Sequence, residues 1–194
     1  MDLSYRAQLV GWRLAFRGEA AVPAELPSTF TAFKNQQFRW AKGSIQTARK
    51  LYPRVWRSDR SLVAKIQALF HLTHYAIHPA IVLVALLSLP ALFIVPEKAE
   101  WPIRMFATLA IFVAAVGPNT LYVVSQRSLY PEGWGRRIVL LPVLTAVGLG
   151  ISVSNARAVV EGLIGVRSEF VRTPKKGARN AVPYRAKASW VTGV

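Results

Sequence analysis

Residues 36 to 40 read Gln36-Gln37-Phe38-Arg39-Trp40, inside the longer run Phe33 to Gly43. On a helix, Gln36, Arg39 and Trp40 stand at i, i+3 and i+4 and share one face. That face offers a fork of donors able to hold a diphosphate and a flat indole able to stack on a sugar. Trp40 also fits a plainer role, as an aromatic belt residue of a helix at a membrane surface. The element that must carry these groups is a helix from Phe30 to about Leu51, capped by Ser28 or Thr29 and broken by Pro53. Its apolar positions Phe30, Phe33, Trp40 and Ile45 alternate with Lys34, Arg39, Lys42, Arg49 and Lys50, a pattern suited to lying in a membrane interface.

The whole chain supports that setting. Its 194 residues combine 53% hydrophobic content with a net charge of +16, two properties that rarely coexist in a soluble domain. The charge is segregated: residues 1–68 carry 12 of the 25 Lys and Arg, residues 138–194 carry 8, and 5 lie between. Basic blocks flanking apolar spans indicate a face against anionic lipid, or sites for phosphorylated substrates. Nucleic acid is not expected as a partner, because the cations follow no RNA-recognition, zinc-finger or helix-turn-helix pattern. With no cysteine there is neither a disulfide framework nor a Cys-ligated metal. Met1 to Leu14 contains Asp2, Arg6 and Arg13 and lacks the apolar core of a signal peptide, so insertion is expected from internal segments.

Two such segments are long enough to cross, Leu69 to Val95 and about Met105 to Ser125, the second kinked at Gly117-Pro118-Asn119. Asn119 there would satisfy backbone groups freed by the kink. A third apolar run, from Ile138 to Ile151, contains Pro142, Gly148 and Gly150 before Ser152, Ser154, Asn155 and Arg157 intrude. A third crossing would carry the basic tail Arg167 to Lys187 to the opposite side, against the positive-inside bias. Residues 138–165 are therefore expected as a re-entrant or interfacial helix, with a full third span as the alternative. Neither clear span carries an acid or Arg to mark an ion pathway, which argues against a transporter.

Before the Phe30 helix, a helix at Leu3 to Gly11, a short extended piece Trp12 to Phe16 and a turn through Pro23 and Pro27 are expected. After it, Leu62 to Leu69 should form a second amphipathic helix feeding the first span. His71, His74 and His78 fall on one helical face at i, i+3 and i+7, but no carboxylate accompanies them. They are read as helix-end and interfacial histidines rather than metal ligands. Glu161, the one acid in the third helical run, should pair with Arg157 at i and i+4.

The Gln36 to Trp40 stretch resembles the Gln-x-x-Arg-Trp motif of processive family 2 glycosyltransferases, membrane enzymes that build cellulose-like and mannan-like polymers or glycolipids from nucleotide sugars. The likeness extends to Met1 to Leu9 with Gly11-Trp12-Arg13, which look like the segment following the family's catalytic Thr-Glu-Asp. It continues through Ala24 to Phe33, which is closely similar to mannan-synthase-like members. At the other end, Asn155-Ala156-Arg157-Ala158 and Ser168 to Gly177 are similar to the family's interfacial helix and gating loop. The loop pattern Phe-x-Val-Thr-x-Lys maps onto Phe170, Thr173 and Lys175, with Arg172 in place of the Val. Read without the resemblance, Arg172, Lys175 and Lys176 are ordinary juxtamembrane charge.

The resemblance implies a substrate-binding set of Gln36, Gln37, Arg39 and Trp40, a nucleotide-contacting set of Phe170, Thr173 and Lys175, and a mechanism of inversion by direct displacement. The partners implied are a UDP- or GDP-linked nucleotide sugar, a glycan or lipid acceptor, and membrane lipid. The family's general base would lie upstream of Met1, and its divalent cation, Mg or Mn, is held by an Asp-x-Asp. The only aspartates here are Asp2 and Asp59, so the chain is expected to be part of an enzyme and inactive alone.

The fold expected is a mainly α membrane protein. Residues 1–29 would be a remnant of a GT-A α/β domain and 30–68 amphipathic interfacial helices. Residues 69–125 would form two transmembrane helices, 126–165 a cytoplasmic loop and the third membrane helix, and 166–194 a basic gating-loop-like tail. The expected location is a bacterial inner membrane, with the motif on the cytoplasmic side. The competing expectation is a non-catalytic membrane scaffold or adaptor of a synthase complex.

Overall fold

A computed structural model of the chain describes residues 1–17, 20, 25–94, 101, 105, 109 and 119–169. Among these the protein is mainly helical and contains no strand. They fall into two compact units, one built from residues 1–82 with 151–169 and the other lying within 83–150.

The first unit is organised around a long helix. Helix α1 spans Asp2–Leu9 and ends in a turn at Gly11, whose φ of 99° suits a residue without a side chain. Residues 12–17 follow without regular structure, so the extended piece at Trp12 to Phe16 forms no strand. Helix α2 runs Phe30–Trp56, its first turn capped by Thr29, whose Oγ1 accepts from the Ala32 N–H at 3.2 Å. It does not break at Pro53 as the sequence leads one to expect. Proline in a last turn removes a single helical hydrogen bond, and its own carbonyl still accepts from Arg57 N at 3.2 Å. Ser61 caps α3 (Leu62–Thr73) in the same manner as Thr29. A short 3₁₀ turn at His74–Ala76 then joins α3 to α4 (Ile77–Ile94).

Ala41, Ile45, Ala48, Leu51 and Val55 of α2 are buried together with Ala68 and Leu72 of α3, and with Ile151, Ala158 and Val159 from the C-terminal part of the last helix. This is a thin core. Large apolar side chains such as Phe70, Ile77, Leu83, Val84, Leu86 and Leu87 remain exposed, as a lipid-facing helix requires.

In the second unit a helical run over residues 119–129 leads through Gly133, at φ 90°, into the short helix α5 (Trp134–Ile138). Two cation–π contacts join them: Arg137 lies 3.6 Å from the Tyr130 ring centre and Arg127 5.9 Å from that of Trp134. Helix α6 spans Leu141–Ile164, uninterrupted by the glycines at 148 and 150. Pro142 is tolerated because it occupies the first turn, where its missing N–H has no helical partner.

Two helical stretches are long and apolar enough to cross a membrane, Leu62–Leu87 and Trp134–Ile164. Only 6% and 17% of their apolar windows are buried, which fits helices that face lipid rather than the core of a soluble domain. The first begins seven residues before the span expected at Leu69, because α3 and α4 follow one another almost without a break. Most of the span expected at Met105 to Ser125, with its kink at Gly117-Pro118, lies outside the described residues; Asn119 opens the described helical run.

Candidate functional site

Gln36, Gln37 and Arg39 are half-buried on α2, whereas the Trp40 indole is 54% exposed. The helix is continuous through all four, so the face shared by Gln36, Arg39 and Trp40 exists as the spacing requires. From Ala41 onward α2 is held by packing. Ser44 Oγ donates to the Leu72 carbonyl at 2.7 Å, and Ala41 and Leu51 are wholly buried. A packed helix with the open Trp40 indole next to the Arg39 guanidinium is a platform for a flat, anionic or hydroxylated ligand.

Gln37 points elsewhere. Its Oε1 accepts from the Tyr75 hydroxyl at 3.4 Å. The Tyr75 ring in turn packs against His74, with centroids 4.2 Å apart, and stacks on His78 at 5.9 Å. His78 is held at both nitrogens, Nδ1 at 3.1 Å from Ser152 Oγ and Nε2 at 3.0 Å from Asn155 Nδ2, and Asn155 is fully buried. Gln37 therefore links the motif helix to the start of α4 and onward to α6.

The three histidines that share a face have separate partners: His71 Nδ1 meets the Tyr5 hydroxyl at 2.9 Å, His74 Nδ1 meets the His71 carbonyl at 2.7 Å, and His78 sits in the cluster above. Among the described residues no group of three or more His, Cys, Asp or Glu could hold a metal ion. Asp2 is engaged by Arg6 and Lys50, and Glu161 by Lys42 and Arg157. Each already neutralised by two cations, these two acids do not fit a divalent metal ion.

The expected Arg157–Glu161 pair forms, at 2.7 Å. A third member, with no signal in the i, i+4 spacing, joins it. Lys42, expected on the exposed basic face, is only 4% exposed, and its Nζ lies 2.7 Å from Glu161 Oε2 and 3.1 Å from Ser168 Oγ. One signal was legible: Lys42 falls between Ala41 and Ile45 in the small-residue arc that α2 buries, and an acid stands alone in the facing helix. Phe170, Thr173 and Lys175 lie outside the described residues.

At the N-terminus, the Lys50 hydrogen bond, aided by the Arg6 charge and outweighing desolvation, holds the Asp2 carboxyl below its ordinary range. Burial pushes the Tyr5 phenol up. Arg60 Nη2 donates to the Gln8 carbonyl at 2.6 Å, so α1 is tied to both α2 and the α2–α3 turn.

Residues 1–123 match the family model described as "Glycosyl transferase family group 2". The chain is 32% identical to "Glucomannan 4-beta-mannosyltransferase 1" of Oryza sativa subsp. japonica over 123 residues, 60% of this chain and 24% of that protein. It is 38% identical to "Probable glucomannan 4-beta-mannosyltransferase 7" of the same organism over 131 residues, 64% of this chain and 22% of that protein. A shorter stretch of 60 residues, 31% of this chain and 11% of the relative, is 43% identical to "Glucomannan 4-beta-mannosyltransferase 2" of Arabidopsis thaliana. The chain spans about a quarter of the length of the first of these curated relatives. All three are plant proteins and lend no support to a bacterial inner membrane. No solved structure matches the chain. The matched segment contains α1 to α4 and the whole of Gln36 to Trp40, and the chain belongs to the group 2 family of glycosyl transferases.

Proposed function

We propose that the chain forms the membrane-borne acceptor platform of an inverting, processive glycosyltransferase that moves a sugar from a UDP- or GDP-linked donor onto a glycan or lipid acceptor. The observation that carries this reading is the exposed Trp40 beside Arg39 on a helix packed against the base of a membrane-length segment. Trp40 would stack the terminal sugar of the acceptor, while Arg39 and Gln36 contact the departing diphosphate.

On this reading the general base and the ligands of a divalent cation would come from outside the described residues, which would contribute binding and orientation. Phe170, Thr173 and Lys175 would close over the nucleotide, as their resemblance to the family's gating loop implies. The contact of Lys42 with Ser168 supports a basic tail that leaves the protein on the motif's side of the membrane.

The test is sugar transfer by native membranes carrying Arg39→Lys. A point charge does not reproduce a planar fork, so transfer should fail although the net charge is unchanged. Free tolerance of substitution at Gln36, Arg39 and Trp40 would instead favour a non-catalytic scaffold of a synthase complex.

A further inference from the structure

Three side chains of α2, Lys42, Gln46 and Arg49, stand at i, i+4 and i+7 and therefore along one stripe of the helix. Each holds a different point at the end of α6. Arg49 Nη1 donates to the Gly162 carbonyl at 3.1 Å, Gln46 Nε2 to the Val166 carbonyl at 3.4 Å, and Lys42 Nζ to Ser168 Oγ at 3.1 Å.

Between these points the chain turns back. Gly165 adopts φ 84°, and the Gly165 and Val166 N–H groups both donate to the Glu161 carbonyl at 3.0 Å, closing the helix with a left-handed cap. Past the cap the chain stays against α2, with Val166 held by Gln46 and Ser168 by the tip of Lys42.

We propose that Lys42 is a positioning residue that fastens the segment departing at Ser168 to the motif helix, one turn from Arg39. A lysine this buried is costly unless compensated, and Glu161 Oε2 compensates it. Glu161 is itself held by Arg157 through Oε1, so the carboxylate is fixed from both sides and Lys42 can donate a further hydrogen to Ser168 in a set direction. Arg39 and Lys42, three residues apart, are neighbours on α2. The chain that carries Phe170, Thr173 and Lys175 accordingly starts from Lys42, one turn of α2 from the Arg39 assigned to the diphosphate. That last consequence rests on the transferase reading; the anchoring does not.

The experiment is limited trypsin digestion of the full chain in proteoliposomes, comparing cleavage after Arg167 and Arg172 with cleavage after Arg127 as an internal standard. Lys42→Met should speed the two tail cleavages about tenfold and Ser168→Ala about threefold, with the double variant no faster than Lys42→Met alone. Unchanged tail cleavage in Ser168→Ala overturns the proposal, and that variant decides the matter where Lys42→Met fails to fold, because an exposed hydroxyl is removed without touching the core. A double variant that multiplies the two single effects overturns it as well. Failure here leaves the sugar-transfer result with Arg39→Lys intact, and failure there leaves the digestion result intact.

Discussion

Gly162 of α6 lies directly on Ile45 of α2: a β-carbon at position 162 would stand 3.0 Å from Ile45 Cβ and 3.1 Å from the Lys42 carbonyl oxygen. The second contact is to backbone of the motif helix, which cannot swing aside as a side-chain tip can. Gly162→Val should therefore cost about 1–3 kcal/mol of stability through overpacking, despite better intrinsic helix propensity. Thermal unfolding in detergent measures it, and a variant as stable as wild type would show that the two helices do not approach this closely.

Asn155 and His78 form a second cross-link between α6 and the start of α4. Asn155→Ala removes the partner of His78 Nε2 in a fully buried setting and should destabilise by about 1–3 kcal/mol. Denaturant titration of the pair Asn155→Ala and His78→Ala, singly and together, should give a non-additive cycle. Simple additivity would mean the two side chains do not interact.

Much of this architecture was legible in advance, for identifiable reasons. The helix carrying Gln36 to Trp40 follows from its Thr29 cap and its spacing of apolar and basic residues, and Arg157–Glu161 follows from the i, i+4 rule. What was missed depends on contacts distant in sequence. Lys42 resembles its exposed neighbours Arg49 and Lys50 until Glu161, 119 residues later, is brought beside it. The hydrogen bond from Tyr75 to Gln37 likewise joins residues 38 apart and has no signal in the local spacing. Pro53 was read as a breaker because sequence alone does not say that the helix has only one more turn to run.

The helix caps give a cleaner energetic test. Thr29→Ala and Ser61→Ala each leave an N-terminal N–H of α2 or α3 without its side-chain acceptor and should cost about 1 kcal/mol apiece. The measurement is chemical denaturation, with the Thr→Ser and Ser→Thr exchanges at the same positions expected to restore most of the loss.

The acid limb of stability should depend on Asp2. Its folded-state pKa lies below the ordinary value of 3.8, so the unfolded chain binds the proton more tightly. The stabilisation is present above pH 3.8 and is lost as pH falls through the lower folded-state value. Asp2→Asn should flatten that limb, read as the pH dependence of α1 detachment by amide hydrogen exchange over residues 2–9. An unchanged acid limb in Asp2→Asn would show that the Lys50 and Arg6 contacts contribute nothing to α1 docking.

The proposed function turns on the Trp40 indole receiving the acceptor sugar. Its most direct test is transfer of radiolabelled sugar from UDP- and GDP-linked donors by native membranes in which the allele has been replaced with Trp40→Ala, alongside a check that the protein still inserts. Insertion should be unaffected, and transfer into polymer or glycolipid should fall to background. Wild-type turnover by the correctly inserted variant would contradict the proposed function.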